Sequence, residues 1–138
     1  MIIFLDACSI IYWVEMAEPW YSRLTSYFQK LEQECDGEPV YMVSRISILE
    51  CLVKPLRDTD QELLKRYGDF FASKNLKVIE LTPAVIDHAT QVRAFCGLKT
   101  PDAIQAASAL SIKGLVRFVT NDKRFGIVPG LSIRMLPE

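Results

Sequence analysis

The sequence predicts an α/β fold with a mainly parallel central sheet. Short runs rich in β-branched and aromatic residues alternate with longer segments of helical periodicity, which is the pattern of successive βα units. Most of the short runs are apolar at every position, as expected of parallel strands buried on both faces. Thr-Pro pairs and glycines mark where the intervening helices start and stop.

Four of the short runs are predicted to be strands, and a fifth is predicted to be a strand at the edge of the sheet. In chain order they are Ile2 to Leu5, Pro39 to Val43, Lys77 to Leu81, Val116 to Thr120 and, at the edge, Leu131 to Leu136.

The helices are framed by capping residues. Thr100 is predicted to cap a helix that stops before Gly114, and Thr82 is predicted to cap a helix that runs to Gly97. Ser44 is predicted to cap a third helix that Pro55 ends. Two further helices are predicted from Trp20 to about Glu34 and from Asp60 to about Lys74.

Composition indicates one domain, residues 1–138, in the cytoplasm. The chain is 50% hydrophobic and carries a net charge of −1, which argues against a broad basic surface for nucleic acid but allows a local groove. Its four cysteines lack Cys-x-x-Cys spacing and are expected to be reduced. Every apolar run is too short for a membrane span, so we expect no membrane association.

Four acids, taken one by one, have ordinary explanations. Asp6 could cap a helix, Asp102 lies in the first turn of one, and Asp122 could be a turn residue. Glu50 differs because it lies in the least polar stretch of its predicted helix. A carboxylate in that position needs a partner.

Taken together, the acids predict a metal site. Asp6, Glu50 and Asp122 follow predicted strands closely, and ligands of open α/β sheets bind at the carboxyl ends of the strands. Asp102 reaches the same edge if its helix starts there. Four converging carboxylates would repel one another strongly without cations. Oxygen ligands select Mg²⁺ or Mn²⁺, which favours hydrolysis of a phosphodiester.

The sequence resembles the PIN-domain family, in particular the VapC-type toxins of toxin–antitoxin pairs. The matching motifs occur in the family's order and cover nearly the whole chain: Phe4-Leu5-Asp6, Ser44-Arg45-Ile46-Ser47-Ile48-Leu49-Glu50, Leu98-Lys99-Thr100-Pro101-Asp102-Ala103 and Val119-Thr120-Asn121-Asp122-Lys123-Arg124-Phe125.

The resemblance implies a three-layer α/β/α sandwich and an endoribonuclease that requires Mg²⁺ or Mn²⁺. It also implies a homodimer and inhibition by a cognate antitoxin protein. In that frame Asp6, Glu50, Asp102 and Asp122 are the catalytic and metal-binding acids. Thr120 and Asn121 would support the site through hydrogen bonds.

One departure concerns the residues that follow the first acid. The family often has Thr or Ser there, whereas this chain has Ala7 and then Cys8. A missing hydroxyl could loosen the support of the metal ligands. We expect Cys8 and Cys51 to be packing residues, and we expect a structural role for His88, the sole histidine.

Cations near the acids could contact RNA phosphates, or they could be ordinary solvated charges; they are Arg45, Lys99, Lys123 and Arg124. Phosphate contacts carry no sequence information, so transfer RNA and other structured RNA remain open as substrates. The aromatic residues between Tyr12 and Phe28 are predicted to pack in the core in part and could also receive a partner helix.

Two other functions compete with the nuclease. A non-catalytic PIN-like module that binds RNA or protein is favoured by Ala7. A receiver-type phosphoacceptor also places acids at strand ends, but that fold needs two acids close together after its first strand, and Asp6 stands alone there.

Overall fold

The computed structural model describes residues 1–136. In these residues a five-stranded sheet is flanked by six α-helices. In chain order the elements are β1 (Ile2–Leu5), α1 (Ala7–Val14), α2 (Trp20–Glu34), β2 (Val40–Ser44), α3 (Arg45–Arg57), α4 (Gln61–Phe71), β3 (Leu76–Ile79), α5 (Pro83–Cys96), α6 (Thr100–Leu110), β4 (Val116–Thr120), a 3₁₀ helix (Lys123–Ile127) and β5 (Ile133–Met135). Both the predicted α/β class and the three-layer α/β/α architecture are confirmed.

All five strands run parallel, in the spatial order β3-β2-β1-β4-β5. The central strand β1 is in register with both neighbours, so that Leu5 lies between Val43 and Val119. The residues that follow β1, β2 and β4 therefore emerge at one edge of the sheet. This edge is where the sequence predicted a site.

Alternate residues of β1 supply two separate cores. Phe4 faces α5 and α6 and stacks on Phe118, with ring centroids 5.3 Å apart. Ile3 and Leu5 face the opposite side, where they pack against α1, α2 and α4. Strands buried on both faces explain the continuous apolar runs.

Two predicted helix boundaries are wrong. Pro55 does not end α3, because its ring is buried in the last turn and the helix continues to Arg57. Thr100 is the first helical residue of α6, not its cap; Lys99 precedes the helix, and its carbonyl accepts the N–H of Ala103. That helix ends at Leu110, four residues before Gly114.

The other caps agree with the prediction. Thr82 accepts a hydrogen bond from the N–H of Val85 at 3.2 Å, and Gly97 ends the same helix with a left-handed φ of 74°. Ser44 accepts the N–H of Ile46 at 3.3 Å. Within residues 1–136 no helix is both long and apolar enough to cross a membrane.

Candidate active site

Asp6 lies directly after β1 and is almost fully buried. One carboxylate oxygen accepts the N–H of Ser9 at 2.9 Å and thereby caps α1; the other accepts the hydroxyl of Thr120 at 2.5 Å. The predicted capping role is confirmed. The Thr120 contact goes beyond capping, because it ties Asp6 to the end of the neighbouring strand.

Thr120 connects two of the acids. Its hydroxyl donates to Asp6 and accepts the N–H of Asp122 at 2.9 Å. Asp122 also caps the 3₁₀ helix by accepting the N–H of Arg124 at 2.9 Å. Asn121, between them, lies beside the hydroxyl of Tyr12.

Arg124 connects the remaining aspartate to this group. Its guanidinium forms a bidentate pair with Asp122, with N–O distances of 2.5 and 3.0 Å, and lies 3.7 Å from the carboxylate of Asp102. Asp102 is in the first turn of α6. The start of α6 therefore lies beside the end of β4, as the sequence argument required.

Glu50 extends from α3 and is half-buried. Its carboxylate accepts a hydrogen bond of 3.2 Å from the side-chain amide of Gln105 on α6. The expected partner for a carboxylate in an apolar helix is therefore present, and it is neutral.

The acids influence one another's ionisation. Burial raises the pKa of Asp6, and hydrogen bonds from Thr120 and Ser9 only partly oppose that effect. Burial also raises the pKa values of Glu50 and Asp102, with nearby carboxylates adding to it. The pKa of Asp122 is lowered, because Arg124 bonds its ionised form.

Cys8 lies within the electrostatic influence of all four acids. The residue as a whole is exposed, but partial burial of its thiol raises the pKa of that group to about 11, and the charges of all four acids add to the rise. The prediction that Cys8 packs in the core is therefore wrong, whereas Cys51 is buried as predicted.

The predicted phosphate-contacting cations differ in their surroundings. Arg45 forms a bidentate ion pair with Glu80, with distances of 2.6 and 2.7 Å. Lys99 is close enough to Asp102 to oppose the rise in the pKa of that carboxyl. Lys123 is exposed.

Sequence reasoning missed Gln105, which is fully buried and contacts Glu50. Its signal was a single amide among the alanines and isoleucine of α6, a polar residue in an apolar helix like Glu50 itself. Although Ala7 carries no hydroxyl, Asp6 has a hydroxyl partner in Thr120.

The residues fit a hard divalent cation by their chemistry. All four side chains offer carboxylate oxygens, and burial destabilises the charged form of three of them, a cost that a cation offsets. Within residues 1–136, however, no three acids lie close enough to hold an ion together. The only cation contacting two of them among the described residues is Arg124.

Comparisons with known proteins agree with the fold. The family model described as PIN domain matches residues 3–131. No curated protein matches the sequence.

Similar solved structures include VapBC2 from Rickettsia felis bound to a promoter DNA fragment (TM-score 0.75, 15% identity, 99% of this chain and 100% of that one). VapBC-1 from nontypeable Haemophilus influenzae also matches, with a TM-score of 0.75 and 15% identity over 99% of this chain and 98% of that one. A third is Mycobacterium tuberculosis VapC20, described as a toxin that cleaves the sarcin-ricin loop. It matches with a TM-score of 0.71 and 16% identity over 90% of this chain and 92% of that one.

Proposed function

The chain belongs to the PIN-domain family, and we propose that it is a metal-dependent endoribonuclease, the toxin of a type II toxin–antitoxin pair. The whole chain would form one nuclease domain. The observation that supports the proposal is the linkage of four carboxylates near the carboxyl edge of the sheet. Thr120 joins Asp6 to Asp122, Arg124 contacts both Asp122 and Asp102, and Gln105 bonds Glu50 from the same helix that carries Asp102.

We expect each of the four acids to have a role that depends on its surroundings. Bound Mg²⁺ or Mn²⁺ would activate water and stabilise the charge that develops on the phosphate. Asp6, Asp102 and Asp122 would hold the ion, with Thr120 fixing Asp6. Glu50, half-buried and reaching the same edge, would hold the ion or orient the attacking water.

RNA is the proposed substrate, with a loop of transfer RNA or of another structured RNA as the target. Bases are accessible in loops, and specific recognition of RNA usually takes place there. Lys99 and Lys123 flank the acids in sequence and are exposed, so they would contact the phosphates on either side of the cleaved bond.

Cleavage of purified cellular RNA tests the function. We expect wild-type protein, freed of any bound partner, to cut RNA with Mg²⁺ or Mn²⁺ and to be inactive in EDTA. Gel electrophoresis and sequencing of the fragment ends would identify the RNA. Intact RNA in every metal, with folded protein, would favour the non-catalytic module.

Arg124 must leave the acids before an ion can bind to both Asp102 and Asp122, so it competes with metal. We expect Arg124→Gln to tighten Mn²⁺ binding by roughly twofold to fivefold, a modest effect because the exposed pair is screened by water. RNA should bind more weakly, because the released guanidinium would contact phosphate. Calorimetry measures the first change and fluorescence anisotropy the second.

The neighbouring exposed cation supplies the control for Arg124. Lys123→Gln should weaken RNA binding but leave Mn²⁺ affinity unchanged. Weaker Mn²⁺ binding in Arg124→Gln would instead mean that the guanidinium holds the acids in place for the ion.

A homodimer is proposed through α3. Leu49, Val53 and Leu56 are spaced along one face of this helix and are 60%, 50% and 66% exposed, an apolar stripe that a second copy would cover. Glu50 lies on the same helix, so the dimer would bring two acid clusters towards one longer groove.

Light scattering tests this face. We expect twice the 15.7 kDa mass of the chain for the wild type and the single mass for Val53→Glu, because a buried charge would oppose the interface. Leu115→Glu, at a residue that is 73% exposed in the segment between α6 and β4, should stay dimeric. A monomeric wild type at micromolar concentration would contradict the proposal.

An antitoxin is the proposed inhibitor, since solved neighbours are VapBC complexes. A cavity of about 350 Å³ between α2 and α4 is lined by aromatic residues that include Trp13, Phe28 and Phe70. Its apolar lining suits the side chains of a partner helix. Leu5, which directly precedes Asp6 in the chain, also lines the cavity, whereas none of the four acids does.

A further inference from the structure

A row of polar side chains runs along the contact between α3 and α6. The members of the row are three residues apart along each of the two chain segments. The segments run antiparallel, so that the first residue of one lies beside the last residue of the other. We call this row the polar seam. Ser44, the cap of α3, pairs with Ser108, and Ser47 and Glu50 pair with Gln105; Asp102, three residues before Gln105, continues the row on α6. Its inner members are fully buried, and its outer members are two of the proposed metal ligands.

Hydrogen bonds join the seam from the inside outwards. The hydroxyls of Ser44 and Ser108 lie 2.9 Å apart. The side-chain amide of Gln105 donates one proton to the hydroxyl of Ser47 at 2.6 Å and the other to the carboxylate of Glu50 at 3.2 Å. Both donors of the amide are therefore used.

The orientation of this amide follows from its neighbours. If the amide were flipped, the oxygen of Gln105 would face the carboxylate of Glu50, and two acceptors would repel each other. With the nitrogen facing Glu50, the amide oxygen is buried, and it has no hydrogen-bond partner among residues 1–136.

Stability does not account for a glutamine here. A buried acceptor without a partner costs about 1–3 kcal/mol, and an apolar side chain of similar shape would avoid this cost. Every other buried member of α6 apart from Ser108 is apolar or alanine. The benefit of Gln105 must therefore lie in the side chains that it holds, Ser47 and Glu50, and of these only Glu50 belongs to the proposed metal site.

We propose that Gln105 is a positioning residue that fixes the carboxylate of Glu50 opposite Asp102, so that the two acids can share a divalent cation. The inference rests on the proposed metal site. A half-exposed glutamate without this bond would sample several rotamers and would lose conformational entropy on binding the ion. Because Gln105 already restricts the rotamers of Glu50 in the metal-free protein, less conformational entropy is lost when the ion binds.

Metal affinity in the absence of RNA tests the proposal. Gln105→Met keeps the length of the side chain and removes both donors. We expect its dissociation constant for Mn²⁺, measured by calorimetry, to rise by about 10- to 100-fold, which is typical for losing a partner of a metal ligand. Its unfolding midpoint should equal or exceed that of the wild type, which a merely structural role would not give.

Ser108→Ala is the matched control. It removes a hydroxyl from the inner end of the same seam, away from the acids, and should leave Mn²⁺ affinity within twofold of the wild type. If Gln105→Met does not fold, Gln105→Asn gives the same test, because its shorter amide cannot reach Glu50.

The outcomes separate this inference from the proposed function. Wild-type protein that binds Mn²⁺ and cleaves RNA, together with a folded Gln105 variant of equal affinity, would overturn the positioning role alone. Wild-type protein that neither binds Mn²⁺ nor cleaves RNA would overturn both proposals.

Discussion

Asp6→Asn is expected to lower metal-dependent RNA cleavage by about three orders of magnitude. The substitution removes one negative charge from the proposed ligand set, and metal ions contribute several kcal/mol to transition-state stabilisation. Each 1.36 kcal/mol lost corresponds to about a tenfold lower rate. Initial rates at saturating Mn²⁺ measure the change.

The fold should survive this substitution. Asn caps helices about as well as Asp, so the N–H of Ser9 keeps its acceptor. Burial raises the pKa of Asp6, which means that ionisation above this pKa destabilises the folded protein when no metal is bound. We therefore expect the metal-free variant at pH 7 to unfold at or above the wild-type temperature, and added Mn²⁺ to stabilise it far less.

Asp87→Asn is the control, since Asp87 is an exposed carboxylate on α5. It should cleave RNA at the wild-type rate. Undiminished cleavage by a folded Asp6→Asn protein would remove Asp6 from the site and leave the carboxylate mechanism without its most buried member.

The sheet and the location of the acids could be predicted because local patterns determine them. Apolar runs specify buried strands, and a residue that directly follows such a strand, as Asp6 follows Leu5, can only emerge at the carboxyl edge. Asp102 needed one long-range assumption, that α6 begins beside β4. The distance of 3.7 Å between the guanidinium of Arg124, which follows β4, and the carboxylate of Asp102 confirms that assumption.

Side-chain partners could not be predicted, because they depend on packing between distant segments. Gln105 and Glu50 are 55 residues apart, and Thr120 and Asp6 are 114 apart. Arg124 was predicted to be near the acids, but its preference for Asp122 over solvent depends on the turn of the 3₁₀ helix. Pro55 shows the same limit, since its burial against other elements outweighs the local tendency to end a helix.

Phe118→Ala is expected to lower the free energy of unfolding by about 3–5 kcal/mol. The ring is fully buried; it stacks on Phe4 with ring centroids 5.3 Å apart, and it contacts Phe125 in a tilted arrangement with centroids 4.7 Å apart. Phe4 precedes Asp6 by two residues on β1, and Phe125 lies in the 3₁₀ helix that Asp122 caps. One ring thus packs beneath both segments that carry these acids.

Phe95→Ala is the matched control, because it makes the same chemical change at a ring that is 86% exposed. Its effect should stay within about 0.5 kcal/mol, as for most surface substitutions. Urea denaturation with a common slope measures both changes. Total stabilities of folded proteins are usually about 5–15 kcal/mol, so a loss of the size expected for Phe118→Ala should also populate partly unfolded states in which Asp6 and Asp122 separate. Because Mn²⁺ would bind only to states in which these two acids are close together, adding Mn²⁺ should restore part of the lost stability. Equal effects of the two substitutions would show that the aromatic cluster does not support this edge of the sheet.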